Sequence, residues 1–345
     1  MRQVLIVCFD LRNEGFSYFN NDFGGACVME ERWVYMNGEY RRKAEATVSV
    51  FDHGFLYGDG VFEGIRVYEG NVFRLREHLE RLYDSAKSIL LNIPHSIDEL
   101  EEAVVEAVRK NGLYNAYIRL VVSRGKGELC LDPAKCADPQ MIIIVDQVKM
   151  FPQKLYDQGL KIITVPTRRN IPDALNPKIK SLNYLNNILV KIEANQAGVS
   201  EALMLNSDGY VAEGSGDNIF IAKGGILYTP PGYVGALDGI TRRAILDLCD
   251  RLGYEVKEQP FTRHDVYIAD ECFLTGTAAE VIAVVEVDGR PIGNGQPGSI
   301  SRHLRKEFRK LVTVDGVQVY PESKKMELEA EKPSHSSTSK AEPVY

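Results

Sequence analysis

Residues 176–184 read Asn-Pro-Lys-Ile-Lys-Ser-Leu-Asn-Tyr, which places Lys180 between a proline-containing loop and a predicted helix. A lysine that forms a Schiff base must be partly desolvated, because its amine has to be neutral often enough to attack a carbonyl. Exposed lysines are common, however, and spacing alone favours the interpretation that Lys178 and Lys180 are both solvated loop residues. The function of this stretch can therefore be inferred only together with motifs elsewhere in the chain.

A carboxylate at a strand end is the second candidate for chemistry. Glu213 follows a predicted strand and precedes the glycine- and serine-rich residues 214–217. Such a carboxylate can point into a cavity instead of into water. An ordinary hairpin end explains the same residues, because glycine and serine favour turns, so this signal alone is weak.

Three further elements could bind a phosphate group. Residues 239–241, Gly-Ile-Thr, open a predicted helix, whose free N–H groups and positive dipole end favour an anion. Residues 276–279, Gly-Thr-Ala-Ala, repeat this arrangement after a strand, and Arg66 could add a bidentate guanidinium contact. Helix capping or a surface ion pair explains each element taken singly. No Walker loop or dinucleotide fingerprint occurs, which disfavours nucleotide binding.

Composition excludes several other kinds of site. The chain has 345 residues, with 44% hydrophobic and 26% charged residues and a net charge of -7. It contains no long lysine or arginine run, which disfavours nucleic-acid binding. The six cysteines form no C-x-x-C pair and the six histidines lack helical i, i+4 spacing, so we expect reduced thiols and no metal site. No apolar run reaches the roughly 18 residues of a membrane span, so we expect a cytoplasmic protein.

The length allows two domains with buried cores. We predict a small N-terminal α/β domain over residues 31–150, a linker over 151–159 and a larger α/β domain over 160–318. Residues 1–30 carry no clear period and are interpreted as an extension, with Met29 as the hypothetical natural start. Residues 319–345 are predicted to be a disordered tail, since they have few large apolar groups.

Within these domains the pattern predicts mixed helices and strands. Apolar residues at helical spacing predict a helix over 75–91, and Ser96 with Glu99 forms a capping box before the next helix. The other predicted elements are helices over 100–110, 182–197 and 240–252, and strands over 32–36, 117–123, 141–145, 160–165, 202–205, 218–222 and 271–275.

Taken in order, these motifs resemble the class IV aminotransferases. The resemblance rests on Tyr-Gly-Asp-Gly-Val-Phe-Glu-Gly-Ile-Arg at 57–66, Lys-Ser-Leu-Asn-Tyr at 180–184, Glu-Gly-Ser at 213–215, Gly-Ile-Thr-Arg at 239–242 and Gly-Thr-Ala-Ala-Glu at 276–280. It extends from about residue 33 to about residue 312. Several motifs in the right order are far more specific than any one of them.

The resemblance implies pyridoxal 5′-phosphate as the cofactor and the two-domain type IV pyridoxal-phosphate fold, with a small α/β domain and a larger barrel-like one. Lys180 would carry the cofactor and act as the general base. Glu213 would pair with the pyridine nitrogen, which makes the ring an electron sink. Tyr184 would hydrogen-bond the phenolic oxygen. The phosphate would be held by Arg66, Ile240, Thr241 and Thr277.

Within the family, the substrate residues resemble those of branched-chain aminotransferases. Tyr57 and Phe62 match the aromatic wall of the substrate pocket. Tyr117 and Arg119 match the strand that binds the carboxylates, and Thr277 and Ala278 would offer N–H groups to the α-carboxylate. The expected reaction exchanges an amino group between L-isoleucine, L-leucine or L-valine and 2-oxoglutarate. Family members are homodimers or larger, with residues of a neighbouring subunit completing the site.

Two other activities use the same lysine and cofactor. D-amino-acid aminotransferases share the pattern of residues 179–183, but residues 124–131 lack the histidine of their Arg-x-His pair. Aminodeoxychorismate lyases would not need Tyr117 and Arg119 in this arrangement. Many branched-chain enzymes have one more residue and a glycine pair between the lysine and the tyrosine, and this chain does not, which leaves the side-chain preference open.

Overall fold

The computed structural model describes residues 32–147 and 151–321. In this part of the chain, strands alternate with helices and form two sheets. The strands are β1 Trp33–Met36, β2 Glu39–Arg42, β3 Gly60–Tyr68, β4 Asn71–Phe73, β5 Ala116–Ser123, β6 Gln140–Asp146, β7 Leu160–Thr164, β8 Glu201–Leu205, β9 Val211–Gly214, β10 Asn218–Lys223, β11 Ile226–Thr229, β12 Val256–Glu258, β13 Glu271–Gly276, β14 Glu280–Val287, β15 Arg290–Pro291 and β16 Gly316–Gln318. The helices are α1 His53–Tyr57, α2 Leu75–Ser88, α3 Ile97–Asn111, α4 Gln153–Gln158, α5 Leu185–Gln196, α6 Ile240–Leu252, α7 Arg263–Tyr267 and α8 Ser299–Leu311.

The first sheet has the order β16-β4-β3-β5-β6-β1-β2, and every pair in it is antiparallel. Its β1–β2 hairpin turns at Asn37 and Gly38, which both have positive φ as a two-residue hairpin turn requires. Helices α2 and α3 cover the sheet and bury a shared apolar core. Helix α3 begins where Ser96 and Glu99 form the predicted capping box.

The second sheet has the order β12-β11-β10-β13-β14-β7-β8-β9, with β15 paired to β14. It is mixed, because β7 is parallel to both β14 and β8, whereas β13 is antiparallel to its neighbours β10 and β14. Helices α6 and α8 pack on it. Phe220 and Phe273 stack in the core beneath these helices with their ring centres 5.1 Å apart.

The predicted strands and helices of the described residues are present, with small shifts in their bounds. Helix α5 begins at Leu185, three residues after the start that the pattern placed at residue 182. The residues just before it form hydrogen bonds with β3 instead of a helical turn. Strand β16, assigned from sequence to the second domain, hydrogen-bonds to β4 of the first sheet.

Two expectations concern residues that lie outside the described part of the chain: the start at Met29 within the extension 1–30, and almost all of the disordered tail. Among residues 32–147 and 151–321, no helix combines the length and the apolar composition that a membrane crossing needs.

Candidate active site

The lysine segment lies against the beginning of β3. The main-chain N–H of Phe62 donates to the carbonyl oxygen of Lys180 over 3.0 Å. Two residues on, the N–H of Leu182 donates to the carbonyl oxygen of Gly60 over 2.9 Å. These bonds hold Lys180 in the wall of a cavity, whereas Lys178 is exposed. The structure thus separates two lysines that spacing alone left equivalent.

The amine of Lys180 is surrounded by aromatic groups. Its Nζ donates to Oη of Tyr184 over 3.1 Å and lies 4.5 Å from the centre of the Phe62 ring. The rings of Phe62 and Tyr184 pack edge to face, 4.9 Å apart. Three predicted site residues therefore meet at one point, where the rings replace part of the water around the amine.

A second group of predicted residues adjoins the first. Nη2 of Arg119 donates to Oη of Tyr117 over 3.2 Å, and the guanidinium carbon lies 4.5 Å from the centre of the Phe62 ring. Tyr117 lines the cavity and passes over Gly64, where an added Cβ would lie only 2.1 Å from its hydroxyl oxygen. Glycine at position 64 is therefore what lets the tyrosine side chain reach the cavity.

Backbone N–H groups line another part of the cavity. Ile240 and Thr241 open α6, whose N-cap residue Gly239 has no side chain to occupy the free N–H groups. An added Cβ on Gly239 would also lie 2.1 Å from Oδ1 of Asn218. Thr277 and Ala278, from the turn between β13 and β14, line the same cavity. All four residues predicted here thus meet in one place that suits an anion.

Two predicted site residues lie elsewhere. Arg66 forms an ion pair with buried Glu280, with 2.8 Å between Nη1 and Oε1, and its guanidinium lies 4.3 Å from the Tyr68 ring. It is on the same face of β3 as Phe62 but further along the strand, beyond the cavity. Tyr57 is 37% exposed and packs its ring edge to face against His53.

The arginine that does line the cavity is Arg81 of α2, which sequence reasoning missed. Its Nε and Nη2 donate to the two carboxylate oxygens of Glu63, each over 2.7 Å. Its Nη1 donates to the carbonyl oxygen of Asp238 over 2.7 Å. A bidentate pair of this kind fixes the guanidinium in both position and orientation.

Glu63 is fully buried on β3 and also contacts His78, with 2.7 Å between Oε2 and Nδ1. Burial alone would raise the pKa of Glu63, but Arg81 and His78 hold it well below its usual range. Burial lowers the pKa of His78, against the pull of the neighbouring carboxylate. Glu63 is thus ionised at neutral pH and binds Arg81 as a full negative charge.

Glu213 is held by a second arginine that sequence reasoning missed. Oε1 of Glu213 lies 2.8 Å from Nη2 of Arg169, and Oε2 accepts from the N–H of Leu237 over 2.9 Å. Burial raises the pKa of Glu213, while the charge of Arg169 and the Leu237 hydrogen bond act in the opposite direction. Leu237 and Asn218, which both contact Glu213, line the cavity.

Asp217 is a further carboxyl group at the cavity that the sequence did not single out. Burial and the nearby charge of Glu201 raise the pKa of Asp217 to about 7. An added Cβ at Gly276 would lie 1.9 Å from Oδ1 of Asp217, so only glycine allows this approach. The side chain can therefore exist as the neutral acid beside an anion.

One sequence signal could have identified Arg81. The apolar stripe of α2 contains Leu75, Leu79 and Leu82, and His78 and Arg81 fall on the same helical face. Polar residues at core positions of an amphipathic helix require buried partners. Arg169 has no comparable signal, because it lies in a loop whose path depends on the second sheet.

The sequence matches the family model for amino-transferase class IV over residues 60–287. The chain belongs to the class IV aminotransferases. This membership confirms the predicted family and the predicted enzyme class, and class IV aminotransferases depend on pyridoxal phosphate.

The similar proteins are branched-chain aminotransferases. A candidate branched-chain-amino-acid aminotransferase of Methanocaldococcus jannaschii is 53% identical over 289 residues, which cover 84% of this chain and 99% of that protein. The Escherichia coli branched-chain amino acid aminotransferase superposes with a TM-score of 0.80 at 38% identity, covering 83% of this chain and 96% of that chain. The Thermobaculum terrenum enzyme in its PLP form has a TM-score of 0.75 at 32% identity, covering 82% of this chain and 94% of that chain. These solved structures confirm the predicted mixed helix-and-sheet fold.

The Glu63–Arg81 pair predicts a pH-dependent contribution to stability. At neutral pH, Glu63→Gln should lower the free energy of unfolding by about 3–5 kcal/mol, because it leaves a buried guanidinium without its carboxylate. The folded-state pKa of Glu63 is lowered, so this contribution is fully present above the ordinary value of 4.5 and declines progressively as the pH falls from there toward the lowered folded-state pKa. Urea titrations at intervals between about pH 3 and about pH 8 measure it.

The matched control is Glu80→Gln, which removes an exposed carboxylate from α2, the helix that carries Arg81. It should change stability by less than about 0.5 kcal/mol at every pH. An equal loss from both variants, or a Glu63→Gln loss that persists undiminished at the acid end, would contradict the assignment.

Proposed function

We propose that this chain is a branched-chain amino acid aminotransferase, which transfers an amino group reversibly between L-isoleucine, L-leucine or L-valine and 2-oxoglutarate. The observation that carries the proposal is one cavity that combines the Lys180 amine with an anion site made by Arg81 and the start of α6. Phe62 adjoins the amine, and Arg119 lies over the same aromatic ring. The branched-chain aminotransferases that resemble the chain over most of its length support this substrate class.

The residues present fit pyridoxal phosphate. A phosphate needs positive charge and several donors, which Arg81, the free N–H groups of α6 and the Thr241 and Thr277 hydroxyls can supply. An amine for the aldehyde carbon is available in Lys180, and Tyr184 lies beside it as a donor for the phenolic oxygen. In this proposal Arg81 takes the phosphate role that the resemblance assigned to Arg66.

The bound cofactor would supply an electron sink for the negative charge that develops on the substrate Cα. Lys180 would move the proton, with Nζ as the acceptor from Cα and later as the donor. Tyr184 positions that nitrogen through its hydrogen bond. Glu213 would accept a hydrogen bond from the protonated pyridine nitrogen, and Arg169 holds its carboxylate in place.

The same pocket has to accept an aliphatic side chain and a carboxylate in alternate half-reactions. We assign the aliphatic contact to the Phe62 ring and the carboxylate to Arg119 and the hydroxyl of Tyr117. The Arg119 guanidinium lies over the Phe62 ring and donates to the neutral Tyr117 hydroxyl. It therefore keeps favourable contacts when no substrate carboxylate is present. Thr277 and Ala278 would bind the α-carboxylate, and Tyr57 remains a proposed part of the aromatic wall.

We also infer that the chain forms a homodimer or larger homo-oligomer. Helix α5 exposes an apolar stripe at i, i+3, i+4 and i+7, formed by Leu185, Ile188, Leu189 and Ile192, each between 44% and 65% exposed. A contiguous exposed stripe of this kind is typical of a protein interface. The helix follows the lysine segment directly, so a second copy seated on it would adjoin the active site.

The function is tested by half-reactions of the cofactor-loaded enzyme. L-isoleucine, L-leucine, L-valine and L-glutamate should each convert the cofactor to its amine form, seen as a change in the visible absorption band, and D-alanine should not. Rapid conversion by D-alanine with none by the branched L-amino acids would favour a D-amino-acid aminotransferase. Release of pyruvate from aminodeoxychorismate would favour the lyase.

Three variants test the residue assignments within the same assay. Lys180→Ala should abolish every half-reaction, while Lys178→Ala, which changes the exposed neighbour, should keep them. Arg119→Ala should slow the glutamate half-reaction about 30-fold or more relative to leucine, because a charge-assisted contact is worth about 2 kcal/mol or more. Equal losses for glutamate and leucine would reject the role of Arg119.

A separate prediction concerns the phosphate. Arg81→Lys, which loses the bidentate fork, should weaken binding of pyridoxal phosphate about tenfold or more while leaving the affinity for pyridoxal unchanged. Arg66→Lys should alter neither affinity by more than about threefold, because Arg66 does not line the cavity and lysine keeps a positive charge for buried Glu280. Equilibrium binding of pyridoxal phosphate and of pyridoxal to the apoenzyme of each variant measures the ratio of the two affinities. A larger loss in Arg66→Lys than in Arg81→Lys would restore the assignment of Arg66.

A further inference from the structure

A second cavity of about 240 Å³ lies between helix α8 and strand β14, and it shares no lining residue with the Lys180 cavity. One wall carries four basic side chains of α8, those of Arg302, Arg305, Lys306 and Arg309. The opposite wall is formed by Tyr156 of α4 together with Val281 and Ala283 of β14. This concentration of positive charge stands out in a chain of net charge -7.

Among the described residues, Arg305 presents unpaired N–H donors to this cavity. Its Nε and Nη2 are buried, yet neither has a hydrogen-bond partner within the part of the chain that the structure describes. Its guanidinium carbon stacks 4.3 Å from the centre of the Tyr156 ring, which orients the planar group. Burial and the charge of Arg309 lower the pKa of Arg305. Buried N–H donors without an acceptor are costly, and an oxyanion would supply the acceptor.

Tyr156 presents a second donor without an acceptor. The residue is only 5% exposed, and its hydroxyl has no hydrogen-bond partner among the described residues. Burial and the charge of Glu280 raise the pKa of Tyr156 to about 12, so the hydroxyl keeps its proton at neutral pH. Two buried donors, a fork and a hydroxyl, therefore line one cavity.

The acidic residues nearby are already engaged. Glu280 pairs with Arg66 over 2.8 Å and with Arg309 over 3.3 Å. Asp157 accepts a hydrogen bond from Gln153 over 2.8 Å on its own helix. Neither carboxylate forms an ion pair with Arg305 in the described structure. The four basic side chains of the cavity outnumber these two carboxylates, so the charge there is positive.

We propose that this cavity is a binding site for a small oxyanion, a carboxylate or phosphate group carried by a small molecule. Arg305 binds two of its oxygens through Nε and Nη2, and the Tyr156 hydroxyl donates to one of them. Arg302 and Lys306, both exposed, attract the anion from solution. Val281, Ala283 and Pro297 give the site an apolar wall against which a short hydrocarbon group can pack.

The test is titration calorimetry of the cofactor-loaded enzyme with two probes, inorganic phosphate and isobutyrate. At least one probe should bind the wild type, and Arg305→Gln should weaken that binding tenfold or more. Tyr156→Phe, which keeps the ring and removes only the hydroxyl, should weaken it several-fold. Binding should also weaken as sodium chloride is added, because the attraction is electrostatic. Loss of isobutyrate binding alone identifies a carboxylate site, and loss of phosphate binding alone identifies a phosphate site.

The matched control is Arg251→Gln, which removes one positive charge at the exposed end of α6. It should leave binding of both probes unchanged. The proposal fails if neither probe binds, or if Arg305→Gln and Arg251→Gln have equal effects. It also fails if Arg305→Gln reduces the sedimenting size of the protein without affecting either probe, since the basic wall would then contact a second copy of the chain.

Discussion

The cavity at Lys180 depends on how the main chain of residues 180–182 is held. On one side of β3, strand β4 pairs only with Val67 and Tyr68, so the N–H of Phe62 and the carbonyl of Gly60 are free there. Residues 180–182 form hydrogen bonds with both of these groups. The bonds are made by main-chain atoms, so they set the register of Lys180 against Phe62 whatever the side chains do. The same bonds delay the start of helix α5.

Around this segment, two buried carboxylates are each paired with an arginine. Glu63 holds Arg81, and Glu213 is held by Arg169. A buried charge of either sign is costly alone, so each pair is stable only as a unit. The arrangement fixes one cation and one anion in place before any ligand arrives. Charges fixed in advance need no reorganisation during the reaction, which is the main way a protein stabilises developing charge.

Arg66 and Arg81, the two candidate phosphate-binding arginines, differ in ways that the sequence does not show. Arg66 follows the glycine-containing motif of β3 and has the right chemistry, but its guanidinium is taken by Glu280 from the far end of the chain. Arg81 sits in an ordinary amphipathic helix, and the cavity reaches it only because α2 packs across β3. The sequence positions of Arg66 and Arg81 do not show that α2 packs across β3. The carboxylate that holds the Arg66 guanidinium lies 214 residues away in the sequence.

The sequence by itself determined the family, the mixed fold and the local elements. The α2 stripe, the Ser96 capping box and the helix start at Ile240 are set by short-range periodicity and hydrogen bonding, which are visible in a few consecutive residues. Its motifs also led to the prediction of Lys180, Tyr184 and Glu213 as site residues. The tertiary structure alone decided which lysine faces the cavity, which arginine lines it, and what holds Glu213 in place. These outcomes depend on contacts between residues far apart in the chain, whose partners are chosen by the packing of one sheet against its helices.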